Sequence, residues 1–158
     1  MSSISFEDMD RYEKMILSNL TLPESERKDL WTEIARERLG KQDISIEERR
    51  AVKLLYWQTA YGIEKKPPSE AYELLDIKVK SLVLGSVACP SAWDIVDENG
   101  KKYYARYRGA TLRVYEDPAH NEIFKIVVSD IPLDGMMPTI VMLNLTGMEL
   151  VDGATVEI

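Results

Sequence analysis

Apolar and polar side chains alternate along residues 92–116, which is the pattern of half-buried β-strands. Turn-forming residues interrupt the alternation at Asp97-Glu98-Asn99-Gly100 and again at Gly109-Ala110. The stretch therefore predicts an antiparallel meander of three strands joined by two tight turns.

The register of this meander depends on the length of its first turn. A two-residue Asn99-Gly100 loop places Asp94 among apolar side chains. A three-residue loop, with Gly100 in the left-handed position of a bulge, pairs Ile95 with Tyr103 instead. A slip of one residue turns every side chain of a strand to the other face of the sheet. Only the three-residue loop gathers the apolar side chains on one face, so we favour that register. That face comprises Trp93, Ile95, Tyr103, Ala105 and Tyr107.

The second turn of the meander decides which side chains meet on the outward face. A two-residue Gly109-Ala110 loop is predicted to be of type II′, which takes glycine at its first central position. This loop brings Arg106 opposite Arg113 on the face turned away from the core. It also brings Tyr104 opposite Tyr115. The predicted basic-aromatic surface comprises Lys102, Tyr104, Arg106, Arg108, Arg113 and Tyr115.

Two explanations of the basic-aromatic surface stay open. Like charges directly opposite each other destabilise a sheet, so a bound anion or an acidic partner would relieve the pair of Arg106 and Arg113. Alternatively, arginine stems lie along tyrosine rings on an ordinary solvated sheet face. The surface is therefore a candidate ligand-binding site with a plain structural alternative.

Residues 1–62 predict three helices, because apolar residues recur at helical spacing after capping residues. Ser5 is the predicted N-cap of the first helix. Thr21 and Glu24 have the spacing of a capping box for the second helix, and Gly40 is expected to end it.

The third helix, with a capping box at Ser45 and Glu48, is richer in apolar residues than the other two. An apolar surface this broad indicates burial on more than one side. Packing against both the sheet and the other helices explains it, and a homodimer contact explains it equally well.

The second half of the chain predicts further strands after the helix-breaking pair Pro67-Pro68. A single-turn helix capped by Ser69 is expected to end near Leu75. Alternation and short apolar runs then predict strands over residues 77–84, 123–128, 139–145 and 154–158.

These elements indicate an α+β fold, with an N-terminal three-helix region packed beside a mainly antiparallel sheet of about five to seven strands. The helical region covers residues 1–66 and the β-rich domain covers residues 67–158. At 158 residues the chain is short enough for the two to form one cooperative unit.

The net charge of the chain narrows the class of molecule that it could bind. The chain has a net charge of −7, of which −6 falls in residues 67–158 that hold the basic-aromatic surface. Duplex nucleic acid and anionic membranes repel such a protein at long range. No apolar run is long enough to span a bilayer, and one cysteine excludes an internal disulfide framework. We therefore expect a cytoplasmic protein that binds a basic protein partner or a small anionic ligand.

The sequence offers little catalytic chemistry. His120 is the single histidine and is expected to be a solvated residue of a turn, and Cys89 is expected to be a small buried hydrophobic residue. One histidine and one cysteine do not make a metal site, and no glycine-rich loop follows a strand to hold a phosphate. We therefore predict no catalytic residue, no metal ligand and no cofactor, and no motif supports assignment to a family.

An apolar segment bracketed by prolines, residues 130–138, is a candidate interface. Leu133, Met136 and Met137 could contact a partner, because methionine adapts to irregular surfaces. The alternative is that these three side chains fold back to cap the core.

The residues support three functional hypotheses. The first is a non-enzymatic binding or inhibitory protein that acts on a protein partner, of the kind that neutralises a toxin or blocks an enzyme. The second is a binder of a small phosphorylated ligand or nucleotide, in which Tyr104 and Tyr115 stack a base while the three arginines of the surface clamp the phosphate. The third is a small hydrolase-like enzyme that uses His120 or an aspartate.

Overall fold

A computed structural model describes residues 3–62 and 71–158 of the chain. The helices are α1 Phe6–Leu20, α2 Leu30–Leu39, α3 Ile46–Tyr61 and α4 Thr139–Thr146, with a short 3-10 helix at Glu24–Glu26. The strands are β1 Lys78–Ser86, β2 Ser91–Asp97, β3 Lys102–Arg108, β4 Thr111–Glu116, β5 Asn121–Val127 and β6 Glu149–Glu157.

The strands form one sheet in the order β5-β4-β3-β2-β1-β6. Neighbouring strands are antiparallel except β1 and β6, which pair in parallel. The parallel pair is reached through α4, in keeping with the crossover that parallel neighbours require. The prediction of an α+β fold with a mainly antiparallel sheet is confirmed.

The predicted meander is confirmed in its register. Ile95 lies opposite Tyr103 across β2 and β3, and Gly100 has a φ of +86°, as the bulged turn requires. The type of the second turn was predicted wrongly. Gly109 and Ala110 both have positive φ values, 58° and 62°, which identifies a type I′ turn rather than type II′.

The first and third helices begin where their capping residues predict. The Ser5 hydroxyl accepts a hydrogen bond from the N–H of Asp8, and Ser45 and Glu48 form a complete capping box. Leu54 on α3 is 56% exposed, whereas Tyr56 is fully buried. The homodimer contact stays a prediction.

The second helix begins later than its predicted capping box. Glu24 starts the short 3-10 helix, and α2 is capped by Asp29, whose carboxylate accepts from the N–H of Thr32. Asp29 also pairs with Arg49 of α3 at 3.1 Å, so this cap joins two helices. Gly40, in the left-handed region at φ +65°, ends α2 as predicted.

The predicted strand over residues 139–145 is wrong, because this run forms α4. Helix α4 is apolar on all sides and almost entirely buried, and periodicity cannot distinguish such a helix from a buried strand. Gly147, at φ +81°, ends it. Ser69 lies outside the described residues, and residues 71–77 form no helix.

The hydrophobic core includes residues from both parts of the chain. Tyr12 of α1 and Tyr56 of α3 are buried in the same apolar cluster as Trp93 and Tyr107 of the sheet. One face of the meander therefore packs inward, as predicted, and its other face carries the basic-aromatic surface.

Candidate functional site

The basic-aromatic surface forms on β3 and β4 with the predicted pairing. Arg106 lies opposite Arg113, and Tyr104 lies opposite Tyr115. Strand β5 adds Lys125 opposite Arg113, which sequence reasoning missed. Three cations therefore lie side by side across three strands, an arrangement that is unfavourable without counterions.

Acidic neighbours compensate this row unevenly. The Nε of Arg113 lies 3.4 Å from a carboxylate oxygen of Glu122. Arg106 donates only to the hydroxyl of Tyr115, at 3.3 Å, among the residues that the structure describes. The Nε of Arg106 is buried and has no hydrogen-bond partner within those residues. Arg106 thus has unused hydrogen-bonding capacity at a buried nitrogen.

The aromatic part of the surface is a stack of three rings. The rings of Tyr115 and His120 are 4.2 Å apart and inclined by 5°, and the ring of Tyr104 lies 6.3 Å from that of Tyr115. His120 is exposed, as expected of a turn residue, and its Nδ1 lies 3.6 Å from Asp117. Its contact with the tyrosines was not foreseen, because it depends on the turn between β4 and β5.

The two remaining residues of the predicted surface lie at opposite ends of β3. Lys102 and Arg108 are exposed and point to the same face as Arg106, since side chains on a strand alternate. The structure therefore brings all six predicted residues onto one face.

A second site lies between α1 and the residues that lead into α4. Here a groove of about 250 Å³ runs past the end of β1. Its apolar lining is Phe6, Met9, Leu84, Val87, Met136, Met137, Pro138 and Ile158. We call this site the α1 groove.

Two of the three predicted interface residues line the α1 groove. Met136 and Met137 both contribute, and Met137 is buried. Leu133 does not line it and is 88% exposed, so it does not fold back over the core, whereas Met137 belongs to the buried core as that alternative expects.

Glu13 supplies a buried carboxyl group to the α1 groove. Its side chain is 8% exposed, and one carboxylate oxygen accepts the backbone N–H of Ile140 at 3.2 Å. Burial raises the pKa of Glu13 to about 7, although hydrogen bonds from Ile140 and Thr139 act in the opposite direction. A carboxyl group with a raised pKa in a groove is a candidate functional group.

Sequence reasoning missed Glu13, although a signal was present. Met9 and Leu17 lie one turn before and after it on the buried stripe of α1. A glutamate in the middle of such a stripe must be hydrogen-bonded or must contact water in a cavity. Its partner could not be inferred, because residues 139–145 were predicted as a strand.

Hydrogen bonds hold the groove wall opposite α1 in place. The carbonyl of Gly135 accepts the N–H groups of both Cys89 and Ser91, at 2.8 and 2.7 Å. The hydroxyl of Ser91 accepts the N–H of Met137 at 3.0 Å. The N–H of Ala110 donates to the carbonyl of Asp134. The wall is therefore fixed to the sheet at several points, and the groove is preformed.

The expectation that Cys89 is buried is wrong. Its side chain is exposed, in a turn that directly follows the groove residue Val87. Gly135 approaches its backbone closely, because a Cβ atom on residue 135 would lie 2.9 Å from the Cα of Cys89.

Comparison of the chain with protein-family models, curated proteins and solved structures gives no match. Within residues 3–62 and 71–158, no cluster of three or more His, Cys, Asp or Glu side chains could hold a metal ion. Over the same residues, each helix is too short or too polar to cross a membrane.

Proposed function

We propose that this protein is a non-enzymatic binding or inhibitory protein, and that its protein partner docks on the α1 groove. The observation that carries the proposal is the exposure of large apolar side chains at the groove. Phe6 is 63% exposed and Val87 is 61% exposed, and both line it. Exposed apolar side chains that converge on a concave site are typical of interaction surfaces.

The composition of the groove supports a protein partner. Met9, Met136 and Met137 give it an adaptable lining, which suits the irregular surface of another protein. Glu13 adds an acidic group to the groove, Asp10 is paired there with Lys14, and the chain as a whole has a net charge of −7. A basic partner is therefore attracted at long range and finds the carboxyl group of Glu13 at the point of contact.

Site-specific photo-crosslinking in the native host cells tests the proposal. A photoreactive amino acid replaces Val87 in the groove or, as a matched control, Val127 on β5, which is 62% exposed. We expect a discrete crosslinked protein from position 87 and none from position 127. The absence of any crosslink at position 87 contradicts the proposal.

The crosslinked protein is then purified and its affinity measured by calorimetry. We expect Phe6→Asp to weaken binding at least about tenfold, because it removes an apolar contact and adds an unpaired charge at the interface. Leu54→Asp, at a comparably exposed position on α3, serves as the control and should leave the affinity unchanged. Equal affinities of the two variants would contradict docking on the groove.

A second candidate function is the binding of a small phosphorylated ligand on the basic-aromatic surface. The unpartnered Nε of Arg106 beside Arg113 and Lys125 favours it. An anion would supply the missing counterion, and the rings of Tyr115 and His120 offer a face for a base.

Thermal denaturation with inorganic phosphate, pyrophosphate and nucleoside mono- and diphosphates tests this candidate. We expect the melting temperature to rise with the nucleotides, and the rise to be lost in Arg106→Gln but kept in Arg50→Gln, an exposed residue of α3. A rise with phosphate alone would indicate an anion site without base stacking. No rise with any of these compounds would exclude this candidate.

A further inference from the structure

The α1 groove contains an acidic group without a cation of its own. No cationic group lies within ion-pair distance of Glu13 among the residues that the structure describes. Lys14 lines the same groove, but its ammonium pairs with Asp10 at 3.0 Å. Burial of a carboxylate is costly unless a counter-charge or several hydrogen bonds compensate it.

The start of α4 provides part of this compensation. The N–H of Ile140 donates to one oxygen of Glu13, at the end of the helix where the helix dipole is positive. The cost of ionisation that remains is reflected in the raised pKa of this carboxyl group. A cation bound beside Glu13 would compensate the part of the carboxylate charge that the helix end leaves uncompensated.

We propose that the α1 groove recognises a lysine side chain of the protein partner, whose ammonium group pairs with the carboxylate of Glu13. This inference rests on the proposed function and names the group that the partner presents. The apolar lining from Met9, Met137 and Ile158 suits the aliphatic stem of a lysine, which can bury its methylene groups while its charge reaches a polar partner.

The geometry of Glu13 favours lysine over arginine. A guanidinium group recognises a carboxylate best through two parallel hydrogen bonds, which need both oxygens. One oxygen of Glu13 already accepts the N–H of Ile140, and Thr139 also hydrogen-bonds to the carboxylate, so two parallel acceptor positions are not left for a guanidinium. An ammonium group is a compact charge that needs only a single acceptor position.

Several charged or titratable groups near Glu13 bear on the pH dependence of this contact. Asp10 and Lys14 flank it on α1, and Tyr56 of α3 has its pKa raised by burial and, in smaller part, by the charge of Glu13. Asp10 and Lys14 pair with each other, and the raised pKa of the Tyr56 phenol keeps it neutral near pH 7. Recognition should therefore follow the ionisation of Glu13 and weaken below about pH 7.

Short peptides provide a test that does not need the identified partner. The probes are acetyl-Leu-Lys-Leu-amide, its arginine analogue, and its norleucine analogue, which keeps the stem and lacks the ammonium group. Binding is followed by backbone amide chemical shifts in nuclear magnetic resonance spectra, with the N–H of Ile140 as the local reporter.

At pH 8 we expect the lysine peptide to bind at least about tenfold more tightly than the norleucine peptide, and more tightly than the arginine peptide. At pH 5 this advantage should disappear, because Glu13 is then protonated. Glu13→Gln should remove it at both pH values. The comparison of peptides on the unmodified protein is independent of whether this variant folds.

Equal binding of the lysine and norleucine peptides at pH 8 would overturn the inference and leave docking on the groove intact. A preference for arginine would overturn the choice of lysine. Failure of all three peptides to bind would also overturn the inference, whereas the proposed function is judged separately by the crosslink at position 87.

Discussion

The indole N–H of Trp93 donates a hydrogen bond of 2.8 Å to the hydroxyl of Thr139, and both side chains are buried. This bond joins the centre of the sheet to the first residue of α4. Thr139 also contributes hydrogen bonds that favour the charged form of Glu13. The position of the buried carboxyl group therefore depends on a residue that also anchors the helix to the sheet.

Replacement of Thr139 by valine is expected to destabilise the fold by about 1–3 kcal/mol. The change keeps the shape of the side chain but leaves the indole N–H of Trp93 without its acceptor in a buried site. Chemical denaturation measures the free energy of unfolding. Thr155→Val, at an exposed position on β6, is the control and should change it by less than about 0.5 kcal/mol. Equal effects would show that the hydrogen bond contributes little.

Stability is expected to fall as the pH rises through the range in which Glu13 ionises. The folded protein holds the proton up to a pKa of about 7, while the ordinary pKa is 4.5. Between these values the folded state binds more protons than the unfolded chain, so the free energy of unfolding decreases with pH. The stabilising effect of protonated Glu13 is fully present below pH 4.5 and is lost above pH 7. The free energy of unfolding falls by about 3 kcal/mol at most over this range.

Glu13→Gln isolates this effect, because the amide oxygen can still accept from Ile140 without taking a charge. We expect the variant to lose the slope between pH 4.5 and 7 that is predicted for denaturation of the unmodified protein. Glu33→Gln, an exposed residue of α2, is the control for general charge effects. A slope that survives in Glu13→Gln would assign the pH dependence to other groups.

Gly135→Ala is expected to destabilise the protein by about 1–3 kcal/mol, because the added methyl group collides with backbone. Its Cβ would lie 2.9 Å from the Cα of Cys89. Gly85→Ala is a matched control, since the Cβ there meets its nearest neighbour, an oxygen of Asp94, at an ordinary 3.6 Å. Thermal denaturation compares the two. A Gly135→Ala protein as stable as Gly85→Ala would show that the backbone of the groove wall can shift to accommodate the added methyl group.

Cys89 is expected to react with a maleimide in the native protein, because its thiol is exposed. Intact mass should show one adduct without denaturant, at a rate similar to that of the unfolded chain. Cys89→Ser should show none. If maleimide labelling required denaturant, the thiol would be buried, as the sequence predicts.

The register of the meander could be predicted because two independent signals agree. The bulged turn at Gly100 and the apolar face that includes Trp93 each select the same pairing of Ile95 with Tyr103. The pairing of Arg106 with Arg113 followed from that register. Local turn geometry and strand alternation thus locate the basic-aromatic surface without knowledge of the remaining fold.

The α1 groove could not be predicted in the same way, because its parts depend on tertiary packing. Helix α4 is buried except at Asn144, and its sequence lacks the periodicity that separates a helix from a strand. The second helix was misplaced for a related reason. Spacing at Thr21 and Glu24 permits a capping box, but Asp29 gains a contact with Arg49 that only the folded structure provides.

The α1 groove is lined by Phe6, Val87, Met136 and Ile158, which are far apart along the chain. No continuous peptide of this protein contains the site. Antibodies that block the groove should therefore recognise a conformational epitope and fail on denaturing blots. Serum raised against linear fragments should detect the protein without blocking the groove.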